Sequence, residues 1–225
     1  MRIPQIIIAL LSTGLAASAN ASITVASYSM PDGAAQYYYC DNTYTGSTCG
    51  GYSNGGFLSG GTGDLTNGVL TASVAYGYNY WAPYVLWDGL SPVITFDLGA
   101  TYNVNNITAY FKYFPSAAVY IPASVLLRFS NDGFSFGSDQ LRTFASAESI
   151  PGGNDSDGIY QLLSTQANGR YVELTLNNGP ANRWLALSEV TFDGAAAATV
   201  PVPAAAWLLG SGLLGLVSVA RRKAT

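Results

Sequence analysis

The sequence predicts an all-β protein built as an antiparallel β-sandwich, and three observations carry that expectation. The first is composition. Among 225 residues Gly counts 25 and Tyr 16, aromatics make up 13% and charged residues only 10%, a mix rich in strand and turn formers and poor in helix formers. The second is periodicity: Ile94-Phe96-Leu98, Val125-Leu127-Phe129 and Val172-Leu174-Leu176 each recur at every second position, as half-buried strands require. The third is punctuation. Asn131-Asp132-Gly133 and Asn177-Asn178-Gly179 supply residues that tolerate positive φ, and Leu98-Gly99 ends the first run. A helix fits only near Leu141 to Glu148, too short for βαβ crossovers, so a parallel sheet is excluded and the strands should pair antiparallel.

The two ends read differently from the middle. Residues 1–21 carry one early charge at Arg2, an apolar run from Ile6 to Leu11 and a closing Ala19-Asn20-Ala21, the layout of a secretory signal peptide cut after Ala21. The mature chain then begins at Ser22. Export makes the cysteines legible: Cys40 and Cys49 are the only two and sit in a Gly-, Tyr- and Asn-rich segment, residues 22–63. A local disulfide there closes a small surface loop, worth about 2 to 3 kcal/mol in the chain-entropy picture. At the other end Ala204 to Ala220 holds no charge and as a helix spans roughly 25 Å, the short limit for a bilayer. Arg221-Arg222-Lys223 would stay cytoplasmic by the positive-inside rule and leave the domain outside.

Between the ends, thirteen acids face five basic residues, a net charge of −8, which repels phosphate backbones and leaves no basic patch for nucleic acid. The chain has no His, which removes imidazole catalysis, His-dependent triads and His-ligated zinc. The closest carboxylate pair, Asp155 and Asp157, lies in the polar turn Gly152 to Gly158, where nothing raises an acid's pKa. No catalytic residue is assigned. A glycoside hydrolase survives only if two carboxylates face each other across a cleft.

Two resemblances follow. Val200-Pro201-Val202-Pro203, the apolar span and the terminal Arg221-Arg222-Lys223 resemble a bacterial PEP-CTERM sorting signal of the VPLPA variant. That resemblance implies processing by an exosortase, the inner membrane as a partner during sorting, and a final place at the cell surface or in the extracellular matrix. In the middle, Leu65-Thr66-Asn67-Gly68, Trp87-Asp88-Gly89, Pro92 to Gly99 with its Asp-Leu-Gly ending, Phe129 to Gly133 and Leu187-Ser188-Glu189-Val190 occur in an order that resembles the galactose-binding-like jelly roll of discoidin, F5/8 type C and related carbohydrate-binding domains. This implies a jelly-roll sandwich over residues 64–194, with residues 22–63 joined to it, a linker at 195–199 and the sorting signal with its transmembrane helix at 200–225. It also implies a structural calcium ion held by Asp64, Asn67 and Glu189. Asn67 stands where the family more often has Asp, so one formal charge fewer should weaken affinity.

Sugar sites present exposed aromatic faces that stack on pyranose CH groups. Two stretches qualify, one with Tyr78, Tyr80 and Trp81, the other with Tyr113 and Tyr120, whereas Trp87 and Trp184 should be packed. The expected function is an exported, non-catalytic module that binds an extracellular polysaccharide. The alternative is a structural matrix or biofilm component without a specific ligand, its aromatics used for packing.

Overall fold

The structure, a computed structural model, describes residues 21–34, 39–46, 56–70, 83–144, 156–163, 167–179 and 184–197. Eleven strands run through them: β1 (Ala21–Ile23), β2 (Ser27–Pro31), β3 (Phe57–Gly61), β4 (Val85–Asp88), β5 (Val93–Tyr113), β6 (Val119–Tyr120), β7 (Ser124–Ser130), β8 (Gln140–Thr143), β9 (Ser156–Leu163), β10 (Ala167–Asn177) and β11 (Trp184–Ala196). Helical structure among the described residues is limited to 3-10 turns at Asp64–Thr66 and Pro115–Ala117. The all-β expectation holds. All pairings are antiparallel except the two-residue β6, which runs parallel to the start of β11.

One strand supplies both layers. The first part of β5 lies between β10 and β2, with Phe96 opposite Val172 and Tyr28. Its second part lies between β11 and β9, with Ala109 opposite Val190 and Tyr160. The chain turns from one layer to the other near Gly99, whose φ of 77° is open to glycine and costly for other residues. Asp97 Oδ1 accepts the Gly99 N–H there at 2.7 Å, and the β10 register shifts opposite, between Gly169 and Tyr171. The sequence expectation that Leu98-Gly99 ends a strand is therefore corrected: the pair bends β5 and does not stop it. On the facing strand a Cβ at Gly194 would stand 2.1 Å from the Asn103 carbonyl oxygen, so the corner closes only over a bare backbone.

The period-two residues face inward. Ile94, Phe96, Val125, Leu127, Val172, Leu174 and Leu176 on one layer meet Ile107, Phe111, Leu187, Val190 and Phe192 on the other in a single core. Across the interior the Phe96 and Phe192 rings lie 5.2 Å apart at 62°; truncating a buried ring of this kind typically costs about 3 to 5 kcal/mol. On the outer side of the first layer Arg128 pairs with Glu173, and Arg170 holds Asp97 with two 2.8 Å hydrogen bonds.

Two further expectations are corrected. Leu141 to Thr143 form strand β8, paired with β7, and not the start of a helix; the open β7 backbone offers hydrogen bonds that outweigh a weak local propensity. Asp157 lies on β9, opposite Lys112 of β5, and not in a turn, while Asp155 lies outside the described residues.

A second, smaller cluster closes one end of the sandwich. Tyr84, Leu86, Val119, Trp184 and Ala186 pack there with Ala34, Tyr39, Phe114 and Ala118. Tyr39 meets Trp184 edge to face at 5.1 Å. Main-chain bonds between Ala34 and Leu86, Leu86 and Tyr39, and Phe114 and Val119 tie the connecting segments to it.

Candidate functional site

Buried charge marks one region. Asp41, Asp64 and Glu189 are 0%, 3% and 4% exposed, and none of the hydrogen bonds they receive comes from a Lys or Arg among the described residues. Glu189 reaches the cluster next to a bulge: β11 shifts register between Leu187 and Glu189, within a run of seven successive buried residues from Trp184 to Val190. Ser188 spends its hydroxyl on the carbonyls of Leu70 and Tyr110. Glu189 then accepts the Gly68 N–H at 3.0 Å. Asp64, on the 3-10 turn, accepts the Thr43 hydroxyl at 2.8 Å and the Asn67 side-chain N–H at 3.0 Å. Asp41 accepts the Asp64 N–H at 3.0 Å and the Tyr28 hydroxyl. A Cβ at Gly63 would stand 2.5 Å from Asp41 Oδ1, so glycine admits this carboxylate.

Burial sets the protonation of the cluster. It pushes the Asp64 carboxyl up to about 7, with the neighbouring Asp41 adding to the rise. It pushes Glu189 up to about 7 as well, against the opposing pull of the Gly68 and Asn67 amides. The Tyr28 hydroxyl rises far above its ordinary range, first through burial and then through Asp41.

Of the residues expected to hold calcium, the structure brings Asp64, Asn67 and Glu189 to one turn. The donor set fits a hard cation, which takes oxygen ligands and favours carboxylates. Within the turn the Asn67 side-chain oxygen accepts the Val69 N–H at 2.8 Å, and among the described residues no group of three or more Asp, Glu, His or Cys side chains stands where it could hold one ion. Backbone carbonyls would have to complete such a shell. Sequence reasoning missed Asp41 and Tyr28, because a single Asp after Cys40 and a single Tyr on a short strand carry no pattern that announces a shared, buried site.

The aromatic expectations divide. Tyr113 and Tyr120 come together half-buried, their rings 6.1 Å apart at 69°, on the connection that leaves β5 and returns through β6. Trp87 and Trp184 are packed, at 1% and 8% exposure. Tyr78, Tyr80 and Trp81 lie outside the described residues. So do Cys49, the presumed mate of the buried Cys40, and Val200, Pro201, Val202, Pro203, Arg221, Arg222 and Lys223. Among the described residues no helix is long and apolar enough to cross a membrane.

At the end of the sandwich that holds the Tyr pair, the exits of β2 and β4 border a half-open cavity of about 270 Å³, lined by Pro31, Asp32, Gly33, Ala34, Trp87, Asp88 and Leu90. Ala34 belongs to the cluster that also holds Phe114, which places cavity and Tyr pair on the same end. Burial raises the pKa of Asp32.

No family model matches the chain, and no curated protein matches it. Among solved structures, the C-terminal domain of a chitobiase from Bacteroides fragilis is 15% identical with a TM-score of 0.46, covering 79% of this chain and 100% of its own. The family 32 carbohydrate-binding module of NanJ from C. perfringens, solved with galactose, is 10% identical with a TM-score of 0.41, covering 78% of this chain and 99% of its own. A truncated AlyQ with CBM32 and alginate lyase domains is 12% identical with a TM-score of 0.45; the match covers 81% of this chain and 35% of that one.

Proposed function

We propose that this chain is an exported, non-catalytic module that binds an extracellular polysaccharide through the end of the sandwich carrying Tyr113 and Tyr120. The observation that carries the reading is the edge-to-face Tyr pair, half-buried at the same end as an acid-lined cavity: rigid, partly accessible rings suit stacking on sugar CH groups. The signal peptide and the Val200 to Lys223 tail support export and exosortase sorting to the cell surface or matrix. Asp64, Asn67 and Glu189 support a structural calcium ion that would neutralise the buried carboxylates and fix the turn, and the Cys40-Cys49 bridge would pin the segment that carries Asp41. The test is retention of the full chain on a glycan array. Tyr120→Ala should abolish retention with the melting temperature nearly unchanged, and retention by that variant equal to wild type would sink the proposal.

A second reading, a matrix component that self-associates, draws on one feature. The edge strand β8 exposes Leu141 at 65%, and the turn before it exposes Phe134 at 91%, a combination that invites pairing between copies. Concentration-dependent sedimentation abolished by Leu141→Lys, with no glycan retained, would favour it.

A further inference from the structure

The cavity between β2 and β4 presents a fixed carboxylate with an open acceptor oxygen. Oδ1 of Asp32 accepts the N–H groups of Gly33 at 2.8 Å and Asp41 at 2.9 Å, which fixes the carboxylate. Its second oxygen receives no hydrogen bond from any described residue, although the side chain is only 9% exposed and lines the cavity. Three donors around it are spent elsewhere. The Asp32 N–H goes to the Gly56 carbonyl, the Ala34 N–H to the Leu86 carbonyl, and the Trp87 ring N–H to the Pro31 carbonyl at 2.8 Å. Pro31, Ala34, Trp87 and Leu90 supply apolar wall, Asp88 lines it as a second acid, and among the described residues no Lys or Arg lines the space. An occupant at Asp32 must therefore bring its own donor, and an anion would meet the carboxylates of Asp32 and Asp88 with no Lys or Arg among the described lining residues to offset them.

We propose that this cavity is a subsite for a sugar residue that donates hydrogen bonds to Asp32, with an amino sugar's ammonium preferred over a neutral hydroxyl or amide, and that it excludes uronate, sulfated and phosphorylated sugars. The inference rests on the carbohydrate-binding reading and specifies its ligand class. The volume lies just below the roughly 300 to 1,000 Å³ of drug-sized ligand sites, so it takes one residue of a longer chain. A charge-assisted hydrogen bond is about twice as strong as a neutral one, which sets the order of preference.

The experiment measures binding of the purified full chain to short oligomers of glucosamine, N-acetylglucosamine and galacturonate. The glucosamine oligomer should bind about tenfold more tightly than its N-acetylated counterpart, and the galacturonate oligomer not at all. Asp32→Asn keeps an oxygen for the Gly33 and Asp41 N–H groups and should erase the tenfold preference. Leu90→Lys, at a position 44% exposed on the cavity wall, should admit galacturonate. Asp139→Asn, an exposed acid on the segment before β8, should change nothing, which separates the subsite from the net negative charge. Melting temperatures of all three variants report folding. Equal binding of the three oligomers, or a preference that survives Asp32→Asn in a folded protein, overturns the subsite and leaves the carbohydrate reading standing. Binding of none, together with no glycan retained on the array, overturns both.

Discussion

Without calcium, raising the pH from 5 to 8 should destabilise this protein. Asp64 and Glu189 are both held near 7 by burial, above their ordinary values, so the folded state keeps protons there that the unfolded chain has already released. Stability from these groups is complete below pH about 4, and it is lost as the pH climbs through 7. A tenfold change in an acid constant is about 1.4 kcal/mol, so the two shifts amount to about 3 to 4 kcal/mol each. Structural relaxation and water penetration when the groups charge absorb part of that, leaving roughly 2 kcal/mol each. About a third of this is already lost by pH 5, so roughly 2.5 kcal/mol falls between pH 5 and pH 8; for a chain of this size 1 kcal/mol moves the melting temperature by about 2 to 4 °C, so a fall of about 5 to 10 °C is expected across that range in chelator. Asp97, held low by Arg170, and Asp132, held low by the Ser135 and Phe134 amides, act with the opposite sign, but only below pH 4 and so outside this range. Thermal unfolding by circular dichroism across the range is the assay. Glu189→Gln, which imitates the protonated acid, should halve the slope. A melting temperature that is flat or rises from pH 5 to 8 in chelator would refute the buried-carboxylate reasoning.

Millimolar calcium should raise the melting temperature at pH 8, because an ion bound only by the native state stabilises it by mass action; Asn67→Asp should enlarge the rise and Glu189→Gln remove it, and equal melting with calcium and chelator discards the ion. Trp184→Ala should cost about 3 kcal/mol or more in denaturant unfolding, since the ring is packed against Tyr39; a loss under 1 kcal/mol would show that the end cluster contributes little. Gly194→Ala should destabilise by about 1 to 3 kcal/mol through the clash with the Asn103 carbonyl, and an unchanged midpoint would place the corner elsewhere. Intact mass of exported protein should lack two hydrogens for a Cys40-Cys49 bridge, and two alkylatable thiols in unreduced protein would exclude it.

The three apolar runs were readable because each faces one core at the strand period, and Ile94, Phe96, Leu98, Val125, Leu127, Val172, Leu174 and Leu176 are all buried. The second part of β5 was not readable. Its pairing with β11 skips Asn105, with Val104 opposite Gly194 and Asn106 opposite Asp193, so the buried Val104 and Ile107 stand three apart and the alternation breaks. At the site, Asp64 and Glu189 were found through a resemblance between motifs and not through any local pattern. Asp32 and Asp41 were missed for a physical reason: whether a carboxylate is buried depends on amides and hydroxyls far along the chain, such as Tyr28 thirteen residues away from Asp41, and composition carries no trace of that.

Strand β11 also gives the module a direction. Its first residues pair with Val119 and Tyr120, next to the Tyr pair, while its last pair with Tyr102, and the following Ala197 N–H bonds to the Thr101 carbonyl. At roughly 3.3 Å per residue the two ends of such a strand stand up to about 40 Å apart. β1, where the trimmed amino terminus would begin, lies antiparallel to the far part of β11, with Ala21 opposite Gly194. Ala21 and Ala197, the outermost described residues, thus lie toward the corner remote from Tyr113 and Tyr120. A tether in the residues that follow Ala197 would grip the module at its base and hold the aromatic end outward, like a lamp on a short post, so that attachment and ligand capture never compete for the same face.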